Sequence, residues 1–291
     1  MLSSLDQRLD RLEWRCRRPV EHFLAGAYRS IFKGRGIEFE DVRAYQPGDD
    51  VRSMDWKVTA RTGVPHVKRF IEEREQCFYL LVDLSASVLS DTSGSKREAL
   101  AELACMITLA AIQNNDRVGL ILFSDQVEML IRPAKGRLHA RRMMEALLTC
   151  EPKGKETDLR VALATLAQLA RKPSVAFILS DFLTEGYEQE LQTIAWQHDL
   201  VAVNLLDPLE LNPPTRGLVR IHDAESGAEN VIDFRATDPD DTKQSRRTLL
   251  RHTLTDCGVD LLETTIGEDP VTVLLDFFHT RQRRVADETG G

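Results

Sequence analysis

Four nearly continuous apolar runs divide the central part of the chain. They are CFYLLVD (residues 77–83), RVGLILFS (117–124), SVAFILSD (174–181) and LVAVNLLD (200–207). None of these runs alternates apolar and polar residues, which is typical of strands that are covered on both faces. The pattern therefore predicts a central, mostly parallel β-sheet with helices on both faces.

Helical patterns lie between the predicted strands. Apolar residues recur at spacings of three and four in residues 100–111 and 159–170, as expected for helices that pack one face on a sheet. The alternation of strand and helix predicts an α/β protein with a doubly wound, Rossmann-like sheet. Residues 126–133 are expected to add an antiparallel edge strand, 259–266 the last strand and 269–284 a closing helix.

The remaining segments predict a main domain with a small N-terminal attachment. Residues 1–75 begin with an amphipathic helix and continue into a charged, Gly-rich segment, which we expect to pack on the core. Residues 76–285 are predicted to form the α/β domain. A Pro-Pro pair and a polar turn predict a hairpin insertion near 211–235, and residues 286–291 are expected to form a disordered tail.

The composition argues against several classes of protein. Lys and Arg number 38 and Asp and Glu 46, a formal net charge of −8, whereas a general nucleic-acid binder needs a surplus of cations. No apolar run is long enough to cross a bilayer, and the charged N-terminus lacks the apolar centre of a signal peptide. Five cysteines without a CxxC spacing predict neither a zinc ribbon nor a disulfide framework. The sequence thus predicts a cytoplasmic protein without a membrane span.

Oxygen-bearing side chains follow the predicted strands at the points where they end. The first run ends in DLSAS (83–87), Thr157 precedes a predicted helix and Asp181 ends the third run. Ligands of open parallel sheets bind at the carboxyl ends of the strands, so these side chains are expected to converge. Mg²⁺ prefers six oxygen ligands at about 2.0–2.1 Å. The sequence therefore predicts a site for Mg²⁺, with Mn²⁺ or Ca²⁺ as alternatives, formed by Asp83, Ser85, Ser87, Thr157 and Asp181.

Hydroxyl ligands leave much of the charge of a cation uncompensated, so a site of this kind can attract an acidic side chain from another protein. Two other interpretations stay open. The same residues could be independent helix caps and turn residues. Alternatively, the protein could be a metal-dependent hydrolase, such as a phosphatase with Asp83 as nucleophile. Phosphatases of the haloacid-dehalogenase type place a second Asp two residues on, where this chain has Ser85, and no GxSxG or GxxxxGK[ST] motif is present.

Two sets of motifs resemble known families. DLSAS, the TDL at Thr157 and the LSD at Asp181 resemble the metal-ion-dependent adhesion site (MIDAS) of a von Willebrand factor A domain. The upstream segment GRGIEFEDVRAYQPGDDVRSMDWKVTART, followed by VKRFIEEREQ, closely resembles the bacterial domain-of-unknown-function family fifty-eight (DUF58). The family's motif residues are present as Gly48, Asp49, Asp50, Arg52, Asp55 and Trp56. The similarity is close over about 34–137 and looser toward the C-terminus.

The resemblance implies a von Willebrand factor A-like core and a non-enzymatic role in protein–protein interaction. It also implies a MoxR-type AAA+ ATPase, or a client of that ATPase, as the partner, and a chaperone-like role in the maturation of protein complexes. Many members of the family carry N-terminal membrane helices. This sequence has none, so membrane anchoring is not expected here.

The charged segment before the first strand has two interpretations. We expect its mixed-sign residues to pair with one another and to hold the attachment on the sheet, with Trp56 as a buried anchor. These residues are Arg43, Asp49, Asp50, Arg52, Asp55 and Arg61. The alternative is a docking surface for a partner.

Overall fold

A computed structural model describes residues 4–32, 38–71, 75–89, 95–208, 218–222, 229–233 and 239–289. The strands are β1 (Glu38–Ala44), β2 (His66–Ile71), β3 (Cys77–Asp83), β4 (Arg117–Phe123), β5 (Val127–Ala134), β6 (Val175–Ser180), β7 (Asp199–Leu206), β8 (Leu218–His222), β9 (Glu229–Asp233) and β10 (Asp260–Thr265). The α-helices are α1 (Ser4–Pro19), α2 (Ala25–Ile31), α3 (Trp56–Thr62), α4 (Ala86–Leu89), α5 (Ser95–Gln113), α6 (Arg137–Thr149), α7 (Leu159–Leu169), α8 (Glu188–Ala195), α9 (Pro239–Asp256) and α10 (Pro270–Thr289).

Six strands form the central sheet in the order β10-β7-β6-β3-β4-β5. All neighbouring pairs are parallel except β4 and β5, which are antiparallel. The apolar runs therefore form the predicted parallel strands. The antiparallel edge strand predicted at residues 126–133 is β5, one residue further along the chain. The fold is α/β, doubly wound and von Willebrand factor A-like, as predicted.

Helices cover both faces of the sheet because successive side chains of each strand point to opposite faces. In β3, Phe78 and Leu80 face the core formed with α1, α2, α5, α6 and α10. Tyr79 and Leu81 face the second core, which α7, α8 and α9 complete. This burial on both faces explains why the strands read as continuous apolar runs.

The N-terminal helices belong to the first of these cores. Cys16, Leu24 and Tyr28 are fully buried there. The hydroxyl group of Tyr28 donates a hydrogen bond of 3.0 Å to Oδ2 of Asp116, a buried residue that precedes β4. Residues 4–32 are therefore an integral layer of the α/β core and extend it on one face.

Charged pairs flank the apolar contact of α1. On one side, Arg141 of α6 contacts Asp6 at 3.1 Å and Asp10 at 2.6 Å. On the other side, Arg15 contacts Glu102 of α5 at 3.3 Å. Because the two edges of α1 pair with residues of opposite sign, the helix has one favoured orientation on the core.

Residues 38–71 form a small unit in which β1 pairs antiparallel with β2 and α3 lies between them in sequence. Arg43 binds both carboxylate oxygens of Asp49, at 2.9 and 2.7 Å. Asp50 accepts a hydrogen bond from the backbone N–H of Arg52, and Asp55 caps α3. The predicted pairing is therefore found for Arg43 and Asp49, whereas Asp50 and Asp55 accept hydrogen bonds from backbone N–H groups of the unit instead.

Trp56 does not serve as the predicted buried anchor, because 67% of its surface is exposed. Arg52 and Arg61 form no ion pair with any residue whose side chain the structure describes. The prediction fails because Asp50 and Asp55 are used as local caps, so they do not draw the cations and the indole into a common core. The exposed indole agrees with the alternative interpretation, a docking surface.

The C-terminal part contains an additional hairpin and the last helix. Among the described strands, β8 and β9 pair only with each other, and they lie within the range predicted for the insertion. Residues 209–217, 223–228 and 234–238 lie outside the described ranges. Helix α10 continues to Thr289, whereas the sequence analysis predicts a disordered tail from residue 286. None of the helices in the described ranges is long and apolar enough to cross a membrane.

Candidate metal site

Three connections meet at the carboxyl edge of the sheet. One follows β3 and carries Asp83, Ser85 and Ser87, a second (residues 150–158) leads into α7, and a third follows β6. Strands β3 and β6 are parallel neighbours, with Val82 opposite Leu179. The first and third connections therefore leave the sheet side by side, as expected for parallel strands.

The connection after β3 folds tightly around Asp83. The Asp83 carboxylate is fully buried, and its Oδ1 accepts a hydrogen bond of 2.8 Å from the backbone N–H of Ser85. The hydroxyl oxygens of Ser85 and Ser87 lie 3.0 Å apart. Asp83, Ser85 and Ser87 are thus brought together by the local backbone.

Ser180, the last residue of β6, completes the surroundings of Asp83. Its hydroxyl group donates a hydrogen bond of 2.7 Å to Oδ2 of Asp83 and accepts one of 3.0 Å from the backbone N–H of Phe182. Phe182 has a φ of 54°, a left-handed conformation that costs a bulky residue about 1–3 kcal/mol. The surrounding contacts therefore hold the backbone after Asp181 in a strained turn.

Asp181 lies within this strained turn and is largely buried. Its Oδ1 accepts a hydrogen bond of 3.3 Å from the backbone N–H of Leu183. Burial and then the negative charge of Asp181 raise the pKa of Asp83 to about 6, against the opposing hydrogen bonds from Ser180 and Ser85. Asp83 and Asp181 thus form an electrostatically unfavourable pair at one edge of the sheet, the arrangement that a divalent cation would relieve.

Thr157 lies in the second connection, which is joined to the first by the backbone. The N–H of Ala86 donates a hydrogen bond of 2.9 Å to the carbonyl of Lys155. Immediately after Thr157, Asp158 caps α7 through the N–H of Arg160 and also binds its guanidinium group. Thr157 is half-buried and is held between these two fixed points.

Gly154 allows the second connection to approach the turn between β4 and β5. A Cβ atom at this position would lie 1.7 Å from Oδ1 of Asp125 and 2.3 Å from Oγ of Ser124. The N–H of Gly154 donates a hydrogen bond of 2.8 Å to Glu128. A side chain at residue 154 would therefore force either the side chains of Asp125 and Ser124 or this connection to move.

The structure brings the three predicted side chains of the DLSAS segment together and places Asp181 close enough to change the pKa of Asp83. It places Thr157 in the adjoining connection. Sequence reasoning missed Ser180; its only signal is a hydroxyl residue directly before Asp181 at the end of an apolar run. The metal-ligand roles of the five residues stay a prediction.

The donor set agrees with a hard cation. It contains two carboxylates and three hydroxyl groups, and oxygen ligands are those that Mg²⁺, Mn²⁺ and Ca²⁺ prefer. Within the described ranges, no three His, Cys, Asp or Glu residues are grouped so as to hold a metal ion. A metal site here would therefore depend on the hydroxyl ligands as well as on the two carboxylates.

The sheet order and the loops at its carboxyl edge define an α/β protein of the von Willebrand factor A-like class. Within this class, the chain belongs to the family described as protein of unknown function DUF58, whose family profile matches residues 41–248. This confirms the family that the sequence motifs indicate.

Relatives of this chain occur in mycobacteria. An uncharacterized protein of Mycobacterium tuberculosis strain H37Rv is 33% identical over 287 residues, which cover 96% of this chain and 90% of the relative. An uncharacterized protein of Mycobacterium bovis has the same identity and coverage. An uncharacterized protein of Mycobacterium avium is 27% identical over 158 residues, which cover 52% of this chain and 94% of the relative.

Solved structures with a related arrangement include two from Bacteroides. The conserved hypothetical protein BatB from Bacteroides thetaiotaomicron has a TM-score of 0.49 at 11% identity, covering 72% of this chain and 99% of its own. An aerotolerance-related membrane protein from Bacteroides fragilis has a TM-score of 0.47 at 13% identity, with the same coverage.

Proposed function

We propose that this protein is a non-enzymatic, Mg²⁺-dependent protein-interaction module that binds an acidic side chain of a partner at the carboxyl edge of its sheet. The observation that carries the proposal is the fully buried Asp83 carboxylate. It lies beside the Ser85 and Ser87 hydroxyl groups, and the negative charge of Asp181 contributes to its raised pKa. In the absence of a cation, this arrangement places two acidic groups where each disfavours ionisation of the other.

The residues of the chain have distinct roles in this proposal. Asp83 and Asp181 supply negative charge, and Ser85, Ser87 and Thr157 supply neutral oxygen atoms. Ser180 and the N–H of Ser85 orient Asp83. Bound Mg²⁺, or Mn²⁺ or Ca²⁺ in its place, supplies an incompletely neutralised positive charge, which attracts a carboxylate from outside the chain.

The proposed partner is a MoxR-type AAA+ ATPase or one of its client proteins, and the proposed role is chaperone-like maturation of protein complexes. Membership of the DUF58 family supports this choice, since it is the partnership that the resemblance implies. The proposed location is the cytoplasm. All five cysteines are free thiols, which agrees with a reducing compartment.

A hydrolase that uses Asp83 is less well supported by the geometry. The position two residues on, where a general acid would be needed, carries the hydroxyl of Ser85. No contact in the described ranges specifically favours this alternative.

The direct test is isothermal titration calorimetry with MgCl₂. We expect the wild type to bind Mg²⁺ and Asp83→Asn and Ser87→Ala to bind it at least about tenfold more weakly, because each loses an oxygen ligand or its charge. Asp256→Asn is the matched control, since Asp256 is exposed at the end of α9. Equal Mg²⁺ affinity in the wild type and Asp83→Asn would contradict the proposal.

A second measurement separates the binding module from the hydrolase. The purified protein is incubated with para-nitrophenyl phosphate and MgCl₂, and release of nitrophenolate is followed. We expect no turnover above that of Asp83→Asn. Turnover that is present in the wild type and lost in Asp83→Asn would support the hydrolase and contradict the non-enzymatic role.

A further inference from the structure

Among the described strands, β10 forms one edge of the central sheet and pairs there with β7 alone. Beyond its end, the N–H of Ile266 donates to the carbonyl of Leu206 in β7. Because backbone groups alternate in direction along a strand, those of Leu261, Glu263 and Thr265 point away from β7.

In the described part of the chain, only the backbone groups of Thr265, the last of these three positions, form hydrogen bonds. The N–H of Thr265 donates a hydrogen bond of 2.8 Å to Glu268, and the N–H of Glu268 returns one of 3.0 Å to the carbonyl of Thr265. No hydrogen bond from another described element reaches the outward groups of Leu261 and Glu263. As far as the described residues show, the edge therefore presents two successive outward positions that can pair with another strand.

A groove of about 560 Å³ lies along this edge, between β10 and α10. Its apolar surface includes the buried Leu262 and the half-buried Val273 and Phe277. Its rim includes the exposed residues Glu268, Asp269 and Asp276. The groove thus combines an apolar floor with an acidic rim.

The acidic rim is not neutralised by the described part of the chain. Glu268, Asp269 and Asp276 form no ion pair with a described cation, whereas the two acidic residues of β10 itself are paired. Glu263 binds Arg247 and Arg251, and Asp260 binds Arg281 and Arg284. Hydrogen bonds from Thr272 hold the pKa of Asp269 below its usual value, so this rim carboxylate is ionised at neutral pH.

We propose that the open edge of β10 binds an extended, basic peptide segment of a partner protein as an additional strand. The peptide backbone pairs with Leu261 and Glu263. Its basic side chains lie with their aliphatic parts over Val273 and Phe277 and with their charged ends at the acidic rim. This surface is separate from the candidate metal site and does not depend on it.

Charge complementarity selects this occupant over a second copy of the same strand. Two β10 edges facing each other would bring two acidic rims together, which is unfavourable. The formal net charge of −8 adds long-range repulsion between copies and favours approach of a basic segment.

The test uses the full chain and a synthetic probe, acetyl-Val-Arg-Val-Arg-Val-Arg-amide, at low ionic strength. We expect the backbone amide NMR signals of Leu261 and Glu263 to shift on titration. We expect Asp276→Lys to weaken binding at least about threefold, by reversing one charge of the rim. Glu145→Lys on α6 is the control, because it makes the same change in net charge at an exposed position far from β10 in sequence.

Two N-methylated peptides test whether the probe adds as a strand. One peptide is methylated on the backbone nitrogens of its three Arg residues, and the other on the backbone nitrogens of its three Val residues. An added strand uses only one alternating set of N–H groups, so one isomer should bind like the parent and the other should lose binding. Equal binding of the two isomers would overturn the proposal. The proposal would also be overturned if the acidic analogue acetyl-Val-Glu-Val-Glu-Val-Glu-amide bound as tightly as the basic probe, or if a dimer of the protein formed without peptide and protected the same amides from exchange.

Discussion

The Ser180 hydroxyl group and Oδ2 of Asp83 are joined by a hydrogen bond of 2.7 Å between two adjacent parallel strands. Both residues are almost fully buried. Because a buried carboxylate that loses a donor is costly, this bond both stabilises the fold and orients Asp83. The stability of the sheet edge and the geometry of the candidate metal site are therefore linked through one hydroxyl group.

Replacing Ser180 should affect both properties. We expect Ser180→Ala to lower the free energy of unfolding by about 1–3 kcal/mol, because Oδ2 of Asp83 loses its buried donor. We also expect weaker Mg²⁺ binding, because Asp83 loses an orienting contact. Urea unfolding and calorimetry measure the two effects. Ser180→Thr keeps the hydroxyl group and is the control; the same losses in both variants would show that side-chain shape, not the hydrogen bond, is responsible.

The close approach at Gly154 gives a second prediction. In Gly154→Ala, the new Cβ would meet side-chain atoms of Ser124 and Asp125 at 2.3 and 1.7 Å, so either these side chains or the connection that carries Thr157 must move. We expect a loss of about 1–3 kcal/mol in the free energy of unfolding and weaker Mg²⁺ binding. Thermal unfolding with and without MgCl₂ measures both.

Gly26→Ala is the matched control for this change. Gly26 lies within α2, and no atom lies within 4 Å of a Cβ built there. Alanine favours a helix interior over glycine by about 0.5–1 kcal/mol, so this variant should be slightly more stable than the wild type. If Gly154→Ala were as stable as Gly26→Ala and bound Mg²⁺ equally well, the second connection would not need its close approach.

Asp116 predicts a pH dependence of stability. Its oxygens accept hydrogen bonds from Tyr28 and from the N–H of Gln76, but burial dominates and raises its pKa to about 6. The folded protein thus holds this proton more tightly than the unfolded chain, so ionisation of Asp116 opposes folding. Its cost is absent below about pH 4, grows as the pH rises to about 6 and is constant above that value.

Comparison with Asp116→Asn isolates this effect. Relative to the variant, the wild type should lose about 2 kcal/mol of unfolding free energy between pH 4 and pH 7, from a pKa shift of about two units. Urea unfolding of both proteins at several pH values in this range provides the measurement. A difference between the two that stays constant with pH would show that the proton on Asp116 does not couple to folding.

The fold was predictable from the sequence because each central strand is buried on both faces. Leu80 and Leu81 point into different cores, and both positions must therefore be apolar. The role of Ser180 was not predictable in the same way. It depends on the register of β6 against β3, since its partner Asp83 is 97 residues away in the chain, and no local pattern encodes that contact.

The DLSAS segment was predictable as a unit because its geometry is local. Asp83 and Ser85 are joined by a hydrogen bond across two residues, which the spacing itself permits. Thr157 required more, since its connection is positioned through Ala86 and Lys155 by a backbone contact. Backbone contacts of this kind do not depend on side-chain identity. The sequence could therefore indicate that Thr157 lies in the connection before α7, but not how this connection is held against the one after β3.

The exposed indole of Trp56 gives the last prediction. Because 67% of its surface is exposed, Trp56→Ala should change the protection of β2 amides in hydrogen exchange by less than about 0.5 kcal/mol. Arg43→Ala should reduce that protection more than Trp56→Ala does, because it breaks the two-point contact with Asp49. Hydrogen exchange followed by NMR at Val67, a buried residue of β2, measures both. A loss of 2 kcal/mol or more in Trp56→Ala would mean that the indole is a structural anchor after all, whereas unchanged exchange leaves it free to contact another protein.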